Sequence, residues 1–338
     1  MSERDAVSAA TARNAGGIGL RGVFTALVTP FHADGSIDEP ALRRLVRMQV
    51  EAGVAGLVPM GTTGESATVS PDEHERVVAI TVEEARAGRR VLVVAGAGSN
   101  DTKKAVDLGE RSARAGADAL LAVTPYYNKP KQEGLEAHFR AIADAVDVPL
   151  VLYNVPGRTG SNLLPETVLR LAEDRRFAAV KEASANLDQV SEILRSRPAG
   201  FAVLSGEDSL TLPIVALGGD GVIAVVSNEA PALLVALVDA ALAGRRDEAA
   251  ALHARLLPLM KANFLESNPI PVKWAVARMG ICEAHLRLPL TPLSDGVGRK
   301  MEAILGELGL LDAGAGESGD AGQARGTAAQ RAERRASA

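Results

Sequence analysis

The chain contains very little cysteine and few aromatic residues. Cys282 is the single cysteine among 338 residues, and aromatic side chains make up only 3% of the sequence. One cysteine excludes an intrachain disulfide and fits a reducing compartment. The sequence around Cys282 carries no signature of a general base, which favours an incidental thiol over a nucleophile. With 47% hydrophobic and 23% charged residues, the composition is that of a globular protein with a full-sized core.

Long apolar runs and concentrations of basic residues are also missing. The first 19 residues mix small, polar and charged types without the apolar stretch of a signal peptide. The most apolar helical segment, 230–243, is interrupted by Asp239 and is too short to cross a bilayer. The net charge is −5 and the basic residues are dispersed, which argues against a nucleic-acid surface. We therefore expect a cytoplasmic protein with no membrane or nucleic-acid partner.

The histidines and glycines do not form a familiar cofactor motif. The five histidines have no spacing typical of metal ligands, which argues against metal-dependent chemistry. The glycine-rich stretches 96–100 and 218–221 match neither a Walker A sequence nor a full dinucleotide-binding fingerprint. Both are interpreted as tight turns, so we expect neither a metal centre nor a phosphate-binding loop.

What the chain does contain is a regular alternation of short apolar segments and helical patterns. The predicted strands cover 22–30, 56–60, 91–95, 119–123, 149–153, 177–182, 201–205 and 221–225. The predicted helices that follow them cover 39–52, 71–87, 102–115, 133–145, 165–172, 187–196, 209–217 and 231–242. Apolar, β-branched strands of this kind are typical of a parallel sheet covered on both faces. The pattern predicts an α/β fold, a (β/α)8 TIM barrel, with a doubly wound open sheet as the alternative.

The same pattern predicts four segments along the chain. Residues 1–19 form a flexible extension, and residues 20–244 form the catalytic barrel. A C-terminal helical region over 245–312 contains helices predicted at 245–265, 272–280 and 297–310. Residues 313–338 are small, polar and charged without apolar periodicity, which predicts a disordered tail.

A lysine at the end of one predicted strand is the first candidate for chemistry. The apolar run from Phe177 leads directly into Lys181, and none of the other seven lysines ends such a strand. The side chain either extends to solvent along its apolar stem or is kept neutral by burial, so that its amine can form a Schiff base with a carbonyl. Active sites of (β/α)8 barrels lie at the C-terminal ends of the strands, and all three tyrosines lie at the ends of predicted strands. This clustering favours the Schiff base, because nearby phenols can move the protons that imine formation requires.

These strand-end sequences resemble the 4-hydroxy-tetrahydrodipicolinate synthase (dihydrodipicolinate synthase) family, which belongs with N-acetylneuraminate lyase to the pyruvate-dependent class I aldolases and lyases. The matching segments are GTTGESAT (61–68), TPYYNKPKQEGL (124–135), LYNVPGRTG (152–160), VKEAS (180–184), LSGED (204–208), GGDGVIAV (218–225) and NPIPVKWA (268–275). Several independent motifs in the right order make the resemblance specific, and it covers roughly residues 22–312.

The resemblance implies a set of catalytic residues. Lys181 would form the imine with pyruvate, and Tyr153 would transfer protons to and from the adduct. Thr62 would link Tyr153 to Tyr127, which in this family enters the active site of a neighbouring subunit. The protein is therefore expected to be a homo-oligomer, usually a tetramer built as a dimer of dimers. No metal or diffusible cofactor is implied, because the covalent imine on Lys181 serves as the electron sink.

The resemblance also implies the substrates, pyruvate and L-aspartate-4-semialdehyde, in the diaminopimelate route to lysine. Thr63 would hold the pyruvate carboxylate, while Gly206 and Ile223 would shape the pocket through backbone contacts. Arg158 would receive the carboxylate of the semialdehyde, since a guanidinium can form two parallel hydrogen bonds with a carboxylate. The sialic-acid lyases usually have an apolar residue at that position.

Two alternatives stay open. Another pyruvate-dependent aldolase or lyase would act on sialic acid or a keto-deoxy sugar acid, and Arg158 argues against it. A catalytically silent barrel would only bind a small keto acid, and it would need none of the proton-transfer residues.

One departure from the family concerns feedback inhibition. Lysine-inhibited members bind lysine in a pocket at the dimer interface, which is matched here by Ala67, His74, Asn100 and Tyr126. Pro71 and Lys104 stand where inhibited members often carry histidine and glutamate. Because a cation at Lys104 repels the amine of the inhibitor instead of pairing with it, we expect weak or absent lysine inhibition.

Overall fold

The barrel is closed by eight parallel strands that follow one another in chain order. The computed structural model describes residues 18–89 and 91–311. The strands are β1 (Gly22–Ala26), β2 (Gly56–Val58), β3 (Leu92–Gly96), β4 (Ala119–Val123), β5 (Leu150–Asn154), β6 (Phe177–Glu182), β7 (Ala202–Ser205) and β8 (Gly221–Ala224). β1 pairs with β2 on one side and with β8 on the other. This closure confirms the predicted (β/α)8 barrel and excludes the open sheet, in which β1 and β8 could not pair.

Helices follow the strands, and a further group lies after the barrel. The helices are α1 (Glu39–Glu51), α2 (Pro71–Arg86), α3 (Thr102–Arg114), α4 (Gln132–Ala145), α5 (Pro156–Thr159), α6 (Pro165–Ala172), α7 (Leu187–Ser196), α8 (Thr211–Ala216), α9 (Pro231–Leu242), α10 (Arg246–Ala262), α11 (Ile270–Arg278) and α12 (Asp295–Glu307). The start of α2 shows how local sequence sets a boundary. The Ser70 hydroxyl accepts the Glu73 N–H, the Glu73 carboxylate accepts the Ser70 N–H, and Pro71 occupies the first turn.

Two layers of apolar side chains hold the barrel together. Successive residues of a strand point to opposite faces, so each strand contributes to both layers. On β6, Val180 packs outward in the layer between strands and helices. Ala179 packs inside the barrel, in the layer that also contains Tyr153 of β5. Because Lys181 follows Val180, it shares the inward side of β6 with Ala179.

Strand β1 is shorter than the sequence predicts. It ends at Ala26 and not at Pro30. The Val28 N–H donates to Oδ1 of Asn228 at 3.1 Å and not to a neighbouring strand, and Pro30 has no N–H to donate. This hydrogen bond joins two residues that are 200 positions apart in the sequence, so the periodicity of the strand cannot indicate it.

The ends of the chain are described only in part. The extension predicted over 1–19 lies outside the described residues except for its last two, and the tail predicted over 313–338 lies outside them altogether. Within the described ranges, none of the helices combines the length and hydrophobicity needed to cross a membrane.

Candidate active site

Lys181 lies inside the barrel at the C-terminal end of β6, and its side chain is 6% exposed. Its Nζ is 4.3 Å from the ring centroid of Tyr153, which stands opposite Lys181 in the pairing of β5 with β6. Among the described residues, the amine has no ion pair and no side-chain hydrogen bond. Burial lowers the pKa of Lys181 to about 8, while the nearby Asp208 carboxylate acts in the opposite direction. An appreciable fraction of the amine is therefore neutral and nucleophilic near neutral pH.

Tyr153 and Thr62 lie together beside this amine. Burial raises the pKa of Tyr153 to about 12, and a hydrogen bond with the Thr62 side chain opposes the rise. The phenol consequently stays protonated at neutral pH and can both donate and accept a hydrogen bond. Both side chains line the same small cavity as Lys181. An amine, a phenol and a hydroxyl that line one cavity can pass a proton among themselves.

Thr63 lines the same cavity and, unlike Thr62, is buried. Its hydroxyl oxygen accepts a hydrogen bond from Nδ2 of Asn268 at 3.0 Å. With that acceptor position used, the hydroxyl proton is free to point at a ligand in the cavity. Asn268 itself lines the cavity, yet the sequence indicated no role for it beyond its place in the NPIPVKWA segment.

Gly206 and Ile223 contribute to the site in different ways. A Cβ added at Gly206 would lie 2.7 Å from Cβ of Ala183 and 3.0 Å from Cγ of Lys181. Only glycine therefore leaves room for the lysine stem at this point. Ile223 is buried in the inner layer of the barrel together with Tyr153. In the described part of the chain, the cavity wall on the β8 side is formed by Val225, and Ile223 does not line it.

Arg158 lies on α5, a helical turn that the sequence did not predict. Its guanidinium lines the mouth of the cavity, and its positive charge helps to lower the pKa values of Tyr153 and Lys181. It is exposed and makes no ion pair within the described ranges. A cation without a partner at the entrance of an enclosed site is suited to bind an anionic ligand.

Tyr127 is the one predicted catalytic residue that lies outside the cavity of its own chain. Its side chain is 90% exposed, and its backbone has a positive φ of 73°. The Tyr127 N–H donates to the carbonyl of Thr159 at 3.3 Å, which fixes the tyrosine next to α5. A single chain therefore brings together Lys181, Tyr153 and Thr62, while the Tyr127 ring faces away from them into solvent.

Two acidic residues behind Lys181 were not predicted as site residues. Asp208 is buried and accepts the N–H groups of Val225 and Val226 at 3.0 Å and 2.7 Å. Burial raises its pKa to about 6, and these hydrogen bonds oppose the rise. Burial also raises the pKa of Glu207, which lines the cavity. The sequence indicated them only by their position directly after a strand, in the LSGED segment. Many residues at such positions in barrels have no functional role.

The remaining chemistry of the described residues is limited. Burial raises the pKa of Cys282 to about 11, which disfavours the reactive thiolate form. No group of three or more His, Cys, Asp and Glu side chains in residues 18–89 and 91–311 has the arrangement of a metal site.

The closed (β/α)8 barrel carries, at the C-terminal ends of its strands, a buried lysine that is unpaired among the described residues and an adjacent tyrosine. This arrangement is typical of aldolase-type lyases that work through a Schiff base. Comparison with known sequences gives the family within this class. Residues 19–308 match the sequence model of the dihydrodipicolinate synthetase family. The chain belongs to that family.

Individual relatives are similar over almost their whole length. A curated relative from Chlorobium limicola, named 4-hydroxy-tetrahydrodipicolinate synthase, is 52% identical over 86% of this chain and 98% of its own. The crystal structure of dihydrodipicolinate synthase from Thermotoga maritima matches with a TM-score of 0.84 and 45% identity, over 87% of this chain and 100% of its own. A structure described as the first monomeric dihydrodipicolinate synthase variant also has a TM-score of 0.84, with 46% identity over 86% of this chain and 97% of its own.

Proposed function

We propose that this chain is a 4-hydroxy-tetrahydrodipicolinate synthase, which condenses pyruvate with L-aspartate-4-semialdehyde in the diaminopimelate route to lysine. The observation that carries the proposal is the amine of Lys181. It is buried, unpaired within the described ranges and lowered in pKa to about 8, and it contacts the ring of Tyr153. The relatives that match over almost their whole length support the particular reaction.

The first half of the reaction follows from the positions of Lys181 and Tyr153. The neutral amine attacks the keto carbon of pyruvate and forms a carbinolamine. Tyr153 donates a proton to the departing hydroxyl, water leaves, and the imine remains. The Tyr153 phenolate then takes a proton from the methyl group of pyruvate. The electron pair of that C–H bond becomes the carbon–carbon double bond of an enamine, with the imine nitrogen as the electron sink.

The second half forms the new carbon–carbon bond and releases the enzyme. The enamine carbon attacks the aldehyde of the semialdehyde, and the aldehyde oxygen takes a proton from Tyr153. The amino group of the semialdehyde then attacks the imine carbon, the bond to Lys181 Nζ breaks, and the ring closes. No oxidant or reductant is needed, and one water is released overall. Thr62 relays the protons from Tyr153 to Tyr127 of a neighbouring subunit in this proposal.

Thr63 and Arg158 are the residues that we propose bind the carboxylates of the two substrates. The Thr63 hydroxyl, whose oxygen already accepts a bond from Asn268, donates to the carboxylate of pyruvate. The Arg158 guanidinium at the cavity mouth receives the carboxylate of the semialdehyde in a bidentate pair. Gly206 leaves room for the imine by leaving Lys181 uncrowded, and Ile223 supports the pocket from the inner layer.

The position of Tyr127 supports a homo-oligomer of at least two subunits. Its exposed ring cannot serve the cavity of its own chain. In an oligomer, the ring would enter the cavity of a neighbouring subunit. We expect a tetramer built as a dimer of dimers. Sedimentation equilibrium of wild type, at the concentration used in the activity assay, tests this. A catalytically active monomer would exclude the role of Tyr127, and a dimer would exclude the tetramer.

The function is tested by pyruvate consumption, measured in parallel with aspartate semialdehyde and with N-acetylmannosamine. Wild type should turn over with the semialdehyde alone. Arg158→Ala should lower kcat/KM for the semialdehyde by about 10²-fold or more, the cost of truncating one member of a hydrogen-bonded charge pair. Arg195→Ala is the matched control, since Arg195 is an exposed arginine on α7.

The other outcomes identify the alternatives. Turnover with the sugar aldehyde would move the protein to the lyase branch of the superfamily. If neither aldehyde reacts, borohydride reduction in the presence of pyruvate separates two cases. A covalent adduct on Lys181 would indicate an aldolase with another aldehyde substrate, whereas keto-acid binding that survives Lys181→Ala would indicate a silent binding barrel.

A further inference from the structure

Within the described residues, a second lysine, Lys273, is also buried but, unlike Lys181, has a carboxylate partner. Lys273, on α11, is fully buried, and its Nζ forms an ion pair with Oε1 of Glu65. Glu65 ends the loop that carries Thr62 and Thr63, and its backbone has a positive φ of 53°. We call residues 59–65, which follow β2, the substrate loop. The ion pair joins this loop to the helical region that follows the barrel.

The carboxylate of Glu65 is held at both of its oxygens. Oε2 accepts the backbone N–H of Arg287 at 3.0 Å, while Oε1 is paired with Lys273. The Lys273 amine also lies 4.2 Å from the ring centroid of Phe31. Because each oxygen of the Glu65 carboxylate accepts a hydrogen bond, the pair can persist away from water.

The same segment of the chain holds the loop at a second point. Asn268, five residues before Lys273 in the sequence, donates to the Thr63 hydroxyl at 3.0 Å. From the barrel side, the Thr29 hydroxyl donates to the Gly64 carbonyl at 2.7 Å. Residues 63, 64 and 65 are thus each anchored, two of them by the region after the barrel.

We propose that the Lys273–Glu65 ion pair is a positioning device, which fixes the loop so that the Thr63 hydroxyl points at the pyruvate carboxylate. This inference rests on the proposed function of Thr63. Removing Lys273 would leave the Glu65 carboxylate buried without its partner, and such a charge is strongly unfavourable. The loop would shift to hydrate it and carry Thr63 away, and a displacement of about 1 Å can cost about 10²-fold in a reaction that depends on position.

The test is a double-mutant cycle with Lys273→Met, Glu65→Gln and the double variant. The readout is the pyruvate concentration that gives half-maximal borohydride trapping on Lys181, together with KM for pyruvate and for the semialdehyde. We expect Lys273→Met to raise the half-saturating pyruvate concentration by about 10- to 100-fold, with KM for the semialdehyde almost unchanged. The double variant contains no unpaired charge, and we expect it to return to within about threefold of wild type.

Arg278→Gln is the matched control. Arg278 lies on the same helix as Lys273 and pairs with Glu302 of α12, away from the loop. It should leave the half-saturating pyruvate concentration unchanged.

Three results would overturn the proposal: unchanged half-saturation in folded Lys273→Met, an equal rise in both KM values, or a double variant as impaired as Lys273→Met. If Lys273→Met does not fold, Glu65→Gln alone decides. Its unpaired lysine can release a proton, so we expect a smaller rise in the same direction, and no rise overturns the proposal. Failure of wild type to trap pyruvate would instead refute the proposed function itself.

Discussion

Replacing Lys181 by methionine should make the protein more stable at neutral pH while it abolishes catalysis. A lysine in the unfolded chain has its usual pKa of 10.5, and burial lowers the pKa of Lys181 to about 8 in the folded protein. One pKa unit corresponds to about 1.4 kcal/mol. Holding this amine protonated in the folded state at pH 7 therefore costs roughly 3 kcal/mol. Methionine fills a similar volume without a charge and removes that cost.

The predicted difference between the two proteins depends on pH in a defined direction. Between pH 8 and 10.5 the unfolded chain binds more protons at this site than the folded protein, so the free energy of unfolding of wild type rises with pH across this window. The advantage of Lys181→Met is accordingly largest below pH 8. It should approach zero above pH 10.5, where the amine is neutral in both states.

Urea denaturation at pH 7 and near pH 10.5, at one protein concentration, measures this difference. We expect an advantage of about 3 kcal/mol for Lys181→Met at pH 7. Lys300→Met is the control, because Lys300 is exposed on α12 and should change the free energy of unfolding by less than about 0.5 kcal/mol. A variant that is no more stable than wild type at pH 7, or an advantage that is the same at both pH values, would refute the reasoning.

Three further predictions concern the same site. Gly206→Ala places a Cβ 3.0 Å from Cγ of Lys181, so urea denaturation should show a loss of about 1–3 kcal/mol, and pyruvate trapping should slow markedly. Tyr153→Phe should keep the fold but slow imine formation by about 10²- to 10⁴-fold, the usual contribution of a positioned proton donor; stopped-flow trapping at the wild-type rate would exclude this role. Lysine should inhibit only weakly, because Lys104 is exposed and cationic where the inhibitor's amine would bind; an inhibition constant well below millimolar would contradict this.

The sequence was sufficient for the architecture because strand and helix periodicities are local. Alternation along β6 places Lys181 inward, and the parallel barrel brings every strand end to one face. The contacts that tune the site are not local. Glu65 and Lys273 are 208 residues apart, and Asn268 and Thr63 are 205 apart. A lysine within a helical pattern carries no sign that a distant carboxylate will meet it in the core.

Glu182, which follows Lys181 on β6, shows the same limit of prediction from local sequence. Its side chain is 1% exposed, although a glutamate at a strand end ordinarily reaches solvent. Its carboxylate accepts Nε2 of Gln189 at 3.0 Å, Nδ2 of Asn154 at 3.1 Å and the Ser184 N–H at 2.7 Å. Amide donors from β5 and α7 thus make burial of this charge tolerable, and periodicity on β6 alone cannot indicate them.

The contacts of the two buried lysines, Lys181 and Lys273, explain why only Lys181 is suited to act as a nucleophile. Burial lowers the pKa of both amines. Glu65 pairs directly with the Lys273 amine, which favours the ammonium form and occupies the position that a substrate carbonyl would need. Lys181 has no such pair in the described ranges. The carboxylate of Asp208, which raises the pKa of Lys181, is already held by the backbone N–H groups of Val225 and Val226 after β8. The amine of Lys181, which faces the cavity, is therefore unpaired in the described ranges, whereas the amine of Lys273, which anchors the substrate loop, is paired. A carboxylate placed beside Lys181 should accordingly suppress imine formation.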